Sequence, residues 1–326
     1  MANVQTVDIT GLTGSTTFPV NNNEFLGLVE KLAVQNIRRV KSSNKIEDGF
    51  YLYDITDGTV IEEALVAMAK KQPFVQTGAP NLSAKDPQLK VKYFNNYVSG
   101  QYQTSLRRDE IRKIIASGKG SSVEEVVSEI LATLTEGEGY DDYCAMRDVL
   151  ADSSVGFDVS ATGGIFAGKV PASIKGVIYC MREMYNTLKA TNKYGVDATD
   201  GLEQATPVED IRISITESLL NVMDVVELAN IFNLSKEELM GKLVIIPKEE
   251  EANYPAGRIV VYDRKAMGRA TQLYEYSQDA IGKGLYVNEY LTVNRAYFYN
   301  GLYKCLTLDA SVAYNSAVAS LLTDAS

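Results

Sequence analysis

DPQLKVKYFNNYVSGQYQTSLRRDEIRKII, residues Asp86 to Ile115, is the stretch on which the fold turns. Leu89, Val91 and Tyr93 alternate with Lys90 and Lys92, the two-residue period of a strand. A second extended run, Tyr97 to Leu106, follows at once, and charged, helix-favouring residues take over from Arg107 to Ile115. The extended part has β-favouring residues but too little apolar surface for a core of its own. An isolated two-stranded ribbon is marginal in water. A ribbon this polar is expected to lie across another surface, such as that of a neighbouring chain. That points to assembly first and to catalysis second.

Working outward, Phe50 to Ile55 alternates again, with Tyr51, Tyr53 and Ile55 on one side. Asp57-Gly58 is a turn or bulge. Ile61 to Lys71 stays ambiguous: EEALVAMAKK has helical composition but lies between two extended runs. Gln72 to Pro87 holds three prolines and a glycine and reads as a loop, so residues 48 to 107 together resemble a long projecting hairpin. Before it, residues 1 to 23 look extended and polar. Glu24 to Val40 reads as an amphipathic helix, either docked on the surface or tethering a neighbour.

After it, Ser121-Ser122-Val123-Glu124 forms a capping box. The stripe Val123, Val126, Val127, Ile130, Leu131 and Leu134 then reads as a helix. Gly137 and Gly139 each cost about 1 kcal/mol in a helix interior. The segment to Leu150 is therefore one helix with a break, or two in series. Asp152 to Lys169 is a Gly/Ser-rich loop that could include a short hairpin. Pro171-Ala172-Ser173 starts a strong helix, with Ile174, Val177, Ile178, Met181, Met184, Tyr185 and Leu188 buried. Ile211, Ile213 and Ile215 mark a strand, and Glu217 to Phe232 a buried helix. A second capping box spans Ser235 to Glu238. Strands follow at 242 to 247, 258 to 262, 271 to 276, 285 to 299 and 302 to 308, and Tyr314 to Ser326 is a short helix or a tail.

The composition narrows function. The chain has 326 residues and a net charge of −10, so it is a poor candidate for wrapping nucleic acid by neutralising phosphates. It has no apolar run of the roughly 18 residues a membrane-crossing helix requires. MANVQTVDITG lacks the basic and apolar regions of a signal peptide, so no membrane or export role is expected. The three cysteines, Cys144, Cys180 and Cys305, are far apart and read as reduced, partly buried thiols. There is no histidine, which removes imidazole general bases, Ser-His-Asp catalysis and the commonest metal ligand.

Weak motifs fail on spacing. In Gly118-Lys119-Gly120 a glycine follows the lysine where a phosphate loop needs Ser or Thr. Asp197 and Asp200-Gly201 lack the ligand pattern of a calcium loop. Ser42-x-x-Lys45 has no partner motifs. The acidic pairs Glu124-Glu125 and Asp141-Asp142 read as solvated helix faces, and Lys248 to Glu251 as an exposed loop. No catalytic residue, cofactor or metal site is expected. Arg107 and Arg108, where the hairpin returns, are either ordinary surface charge or inter-subunit ion pairs. Such pairs are weak singly, about 0 to 1 kcal/mol, but a closed lattice repeats them.

DPQLKVKYF…YQTSLRRDEIRKII (86 to 115), YDDYCAMRDVL (140 to 150), NVMDVVELANIFNLSKEELMGKLVIIP (221 to 247) and GKGLYVNEYLTVNRAYFYN (282 to 300), in this order, resemble major capsid proteins of tailed double-stranded DNA phages. The likeness is to small podophages and covers most of residues 48 to 308. It implies an α+β, Hong Kong 97-type fold. Residues 1–47 would be an N-terminal arm and 48–107 an extension loop over a neighbour. Residues 108–169 and 258–310 would be the peripheral domain with its spine helix, 170–257 the axial domain and 311–326 a C-terminal tail. Lys90, Lys92, Tyr93, Arg107 and Arg108 would lie at contacts between subunits. The implied function is self-assembly through hexamers and pentamers into an icosahedral virion shell, put together in the host cytoplasm. Separate scaffolding and portal proteins would assist, and double-stranded DNA would be enclosed without sequence-specific binding. The alternatives are an encapsulin-like compartment holding protein cargo and a histidine-free cytosolic α/β enzyme.

Overall fold

The structure is a computed structural model. It describes residues 6–8, 17–19, 46–55, 59–69, 86–107, 109, 123–198, 201–223, 236–255, 257–281 and 286–324. The expected arm helix at 24–40, the expected loop 72–87 up to residue 85, the first residues of both capping boxes, the charged segment 107–115 apart from Arg107 and Asp109, and residues 224–232 of the expected helix 217–232 lie outside the described residues. The chain divides into two compact units. One comprises residues 1–43, 97–144 and 271–295, and the other 44–96, 145–270 and 296–326.

The larger unit, residues 44–96, 145–270 and 296–326, is built on a five-stranded sheet. In order across it stand β7 (Phe157–Asp158), β13 (Cys305–Asp309), β10 (Arg258–Asp263), β8 (Ile211–Thr216) and β9 (Leu243–Ile246). β10 pairs antiparallel with both β8 and β13. The unbroken apolar run Ile259-Val260-Val261-Tyr262 is fully buried, as suits a central strand covered on both faces. One face packs on helix α2 (Ile174–Lys189), whose Val177, Met181, Met184 and Leu188 meet Ile211, Ile213 and Ile215 of β8 and Ile259 and Val261 of β10 in one core. On the other face, Gly49 comes so close to Val244 and the Tyr262 ring that a Cβ would lie 2.5 Å from the Tyr262 hydroxyl.

Both ends of α2 are closed. The Ser173 hydroxyl accepts from the Gly176 N–H at 3.2 Å, an N-cap. At the other end, the Lys304 ammonium, wholly buried, donates to the carbonyls of Thr187, Leu188 and Ala190 at 3.0, 3.3 and 2.6 Å. Helix α1 (Val123–Ala151) ends in the same manner. Arg258 donates to the carbonyls of Leu150, Asp152 and Val155 at 3.0, 2.7 and 3.0 Å. Short helices α3 (Glu217–Val222) and α4 (Lys236–Lys242) flank the sheet, and α5 (Ser311–Asp324) settles the helix-or-tail question at the end of the chain as helix.

In the smaller unit, residues 97–144 of α1 and its preceding strand pack with 271–295. β6 (Tyr97–Arg107), β12 (Tyr286–Tyr299) and β11 (Met267–Ile281) stand side by side with β12 in the middle. Along β12, Val287, Glu289, Leu291, Val293 and Arg295 are buried at every second position. The other side carries a polar ladder: Ser105 donates to Asn288 at 2.6 Å, Gln101 to Thr292 at 3.2 Å and Ser99 to Asn294 at 3.3 Å. Burial pushes the Glu289 carboxyl up to about 7, against the lowering effect of the hydrogen bond it accepts from Tyr276.

Four expectations are corrected. α1 is continuous through Gly137 and Gly139. The Tyr102 ring packs over Gly137, its hydroxyl donates to Asp141 at 2.8 Å, and Arg295 binds Glu138 and Asp142 one turn apart, which holds the helix across its weak point. Asp142 is therefore a buried ion-pair partner, not part of a solvated face. The 152–169 segment holds no hairpin; its two-residue strand β7 joins the large sheet parallel to β13. Lys248 to Glu251 is not a loose exposed loop: Glu250 binds Arg147, and Glu251 accepts the Ser218 N–H at 2.8 Å.

Candidate assembly surface

The ambiguous segment Ile61 to Lys71 begins as strand β4 (Ile61–Val66), antiparallel to β5 (Leu89–Phe94). The register sets Ile61 opposite Phe94, Glu63 opposite Lys92 and Leu65 opposite Lys90 on one face. Glu62 opposite Tyr93, Ala64 opposite Val91 and Val66 opposite Leu89 make the other. Pairing with a β-patterned partner overrides the helical composition of EEALV. The ribbon is thus residues 61–94; its flanks, β3 (Tyr51–Asp54) and β6, pair with β11 and β12 instead.

The inner face of the ribbon is fastened to its own unit. Ile61 is buried, and the Phe94 ring stacks on Phe298 at 4.1 Å. Glu63 accepts from the Tyr53 hydroxyl at 2.5 Å and from the Tyr303 hydroxyl at 3.1 Å. Burial first, and the Glu63 carboxylate second, hold the Tyr53 hydroxyl well above the usual phenol range. Tyr303 is raised by burial and by the same carboxylate. Lys265 lies 5.8 Å from the ring centres of both Tyr51 and Tyr303. Lys92 forms an ion pair with Asp197 at 3.0 Å. The Asp197 of the discarded calcium-loop reading is thus a tether for the ribbon.

The five expected contact residues fall in different places. Lys90 and Lys92 are half-buried on the inner face, and Tyr93 is 64% exposed on the outer face. Arg107 is exposed at the end of β6, and Arg108 lies outside the described residues. Glu63, Tyr53, Tyr303 and Asp197 were missed; only the strand reading of residues 61–66 would have set Glu63 opposite Lys92. Among the described residues no group of three or more Cys, Asp or Glu is placed to hold a metal, and no helix is long and apolar enough to cross a membrane. What the arrangement offers is a ribbon rooted by one face and bare on the other.

A family model described as "Phi29-like phage major capsid protein" matches residues 2–305. The chain belongs to this family. It is a structural protein of an icosahedral phage shell, and its place is the virion capsid. Among solved structures, a chain of the Staphylococcus phage Andhra capsid is similar with a TM-score of 0.62 at 10% identity, over 79% of this capsid protein and 82% of that chain. A chain of the cyanophage P-SCSP1u capsid gives 0.51 at 9% identity, over 83% and 89%. At such identities the likeness is one of fold, and it places the capsid protein among α+β, Hong Kong 97-like folds. No curated protein matches.

Proposed function

We propose that this capsid protein builds its shell by reaching over neighbouring copies with residues 48–107, the extension loop, of which the β4–β5 ribbon is the part left with a bare face. The observation that carries the reading is the ribbon's asymmetry. Its inner face is bound at Phe94, Glu63 and Lys92. Toward its far end Val66, Met68 and Leu89 are each more than half exposed. In the same reading α1 is the spine of the peripheral domain and 1–47 the arm, while the axial domain takes 170–257 together with β7, β10 and β13, which share one sheet with β8 and β9, and with α5, which packs on the same core. Tyr93, Arg107 and Arg108 serve contacts between subunits, while Lys90 and Lys92 stay on the inner face, where Lys92 holds the ribbon to Asp197. Hexamers and pentamers close the shell in the host cytoplasm with the help of scaffolding and portal proteins. A subunit of net charge −10 encloses double-stranded DNA without gripping its phosphates.

Deleting Gln76 to Asp86, within the connection between the two strands, tests the reading. A soluble subunit that forms no shells by mass photometry and negative-stain microscopy is the expected result. Normal shells from the deletion would remove the loop assignment.

A further inference from the structure

The ribbon's two faces differ in chemistry as well as in exposure. The inner face holds Glu63, Lys90 and Lys92 beside Ile61, Leu65 and Phe94, the outer face Ala64, Val66, Leu89, Val91 and Tyr93, with Glu62 its one charge. Lysines are the residues that suggest a contact between subunits in the sequence. Yet they lie on the side the subunit keeps for itself, where Lys92 binds Asp197 at 3.0 Å. On the outer side Val66, Leu89 and Tyr93 are 56%, 55% and 64% exposed. A contiguous apolar strip left in water on a two-stranded ribbon marks an interaction surface.

We infer that the outer face, whose exposed apolar side chains are Val66, Leu89 and Tyr93, is the side on which the ribbon docks onto a second copy of this chain. The second copy is the occupant because the chain belongs to a shell-forming family, so copies of itself are the surface it meets most often. The inner face cannot serve without breaking the Glu63 and Lys92 attachments. The receiving surface on the second copy is accordingly apolar, with a hydrogen-bond donor for Glu62. The inference rests on the reading of residues 48–107 as a loop reaching over a neighbour, and it reverses which residues make the contact.

The test places a photo-crosslinking benzoylphenylalanine at position 93 in one full-length variant and at position 90 in another. Assembled shells are irradiated, and adducts are resolved by denaturing electrophoresis and mass spectrometry. Abundant dimers of the chain from position 93, at least ten-fold over position 90, are the expected result. Dimers from position 90 with none from position 93 would overturn the choice of face but leave the loop reading intact. No adduct between copies from either position would overturn the loop reading as well. Adducts from position 93 to a different protein would overturn the second copy as occupant. Because only assembled shells are irradiated, a variant that fails to assemble is replaced by position 89 for the outer face, or 65 for the inner.

Discussion

Glu63 and Lys92 face each other across the ribbon, and each is bound to a different part of the body beneath: Glu63 to Tyr53 and Tyr303, Lys92 to Asp197. One cross-strand pair therefore supplies two polar anchors of the inner face, beside the stack of Phe94 on Phe298.

The two anchors are unequal. Glu63 is a charged acceptor of two hydroxyls, and hydrogen bonds to charged groups contribute about 1.5 to 3 kcal/mol. Lys92 and Asp197 are partly solvated, with side chains 24% and 37% exposed, and such pairs contribute about 0 to 1 kcal/mol. Amide hydrogen exchange over residues 61–66 and 89–94 of the unassembled subunit reads the difference. Glu63→Ala is expected to speed exchange about thirty-fold, from roughly 2 kcal/mol, and Lys92→Met less than about five-fold. The reverse order would show that the lysine is the main anchor.

The smaller unit depends on a charge buried at one point. Arg295 binds Glu138 and, at 3.0 Å, Asp142, with all three side chains under a tenth exposed, and it lies 5.5 Å from the ring centre of Tyr274. Removing the cation leaves two carboxylates in a dry site on the helix that already carries Gly137 and Gly139. Arg295→Met is expected to destabilise the subunit by about 3 to 5 kcal/mol in urea unfolding. Adding Glu138→Gln and Asp142→Asn to it is expected to restore most of that loss. A triple variant no more stable than Arg295→Met would show that the site's role is packing, not charge balance.

The parts of this fold that were legible in the sequence are those whose burial follows a local period. RIVVY reads as a short strand, and in the structure it is buried on both faces. IRISI alternates, and the stripe from Val177 to Leu188 is a helix face with a Ser173 cap. What stayed illegible depends on a partner far along the chain. Asp142 looks like a surface acid until Arg295 arrives from 153 residues away, 295 minus 142. Residues 61–66 look helical until β5 supplies the other half of the ladder. In the assembly surface, Tyr93 could be named from alternation, but which face of the ribbon stays bare could not. That depends on Tyr53, Asp197, Phe298 and Tyr303, which come to the inner face from three separate segments.

Lys304 gives the stability of the larger unit a pH signature. Its ammonium is buried under the last turn of α2, and desolvation lowers it to about 8, with the Asp263 carboxylate acting in the opposite direction. The unfolded chain holds the same proton up to about 10.4. Below about pH 8 both states are charged, and the folded state bears the whole cost of burying the charge. Between about 8 and 10.4 the unfolded state binds more protons, so stability rises with pH, by an amount on the order of 2 kcal/mol. The check is urea unfolding of the wild type and of Lys304→Met from pH 7 to pH 10, because the difference between them cancels every other titrating group. The wild type is expected to gain on the variant as pH rises through 8. A constant difference across the range would mean that the buried amine keeps its ordinary proton affinity, its three carbonyl partners at the end of α2 compensating for the lost water.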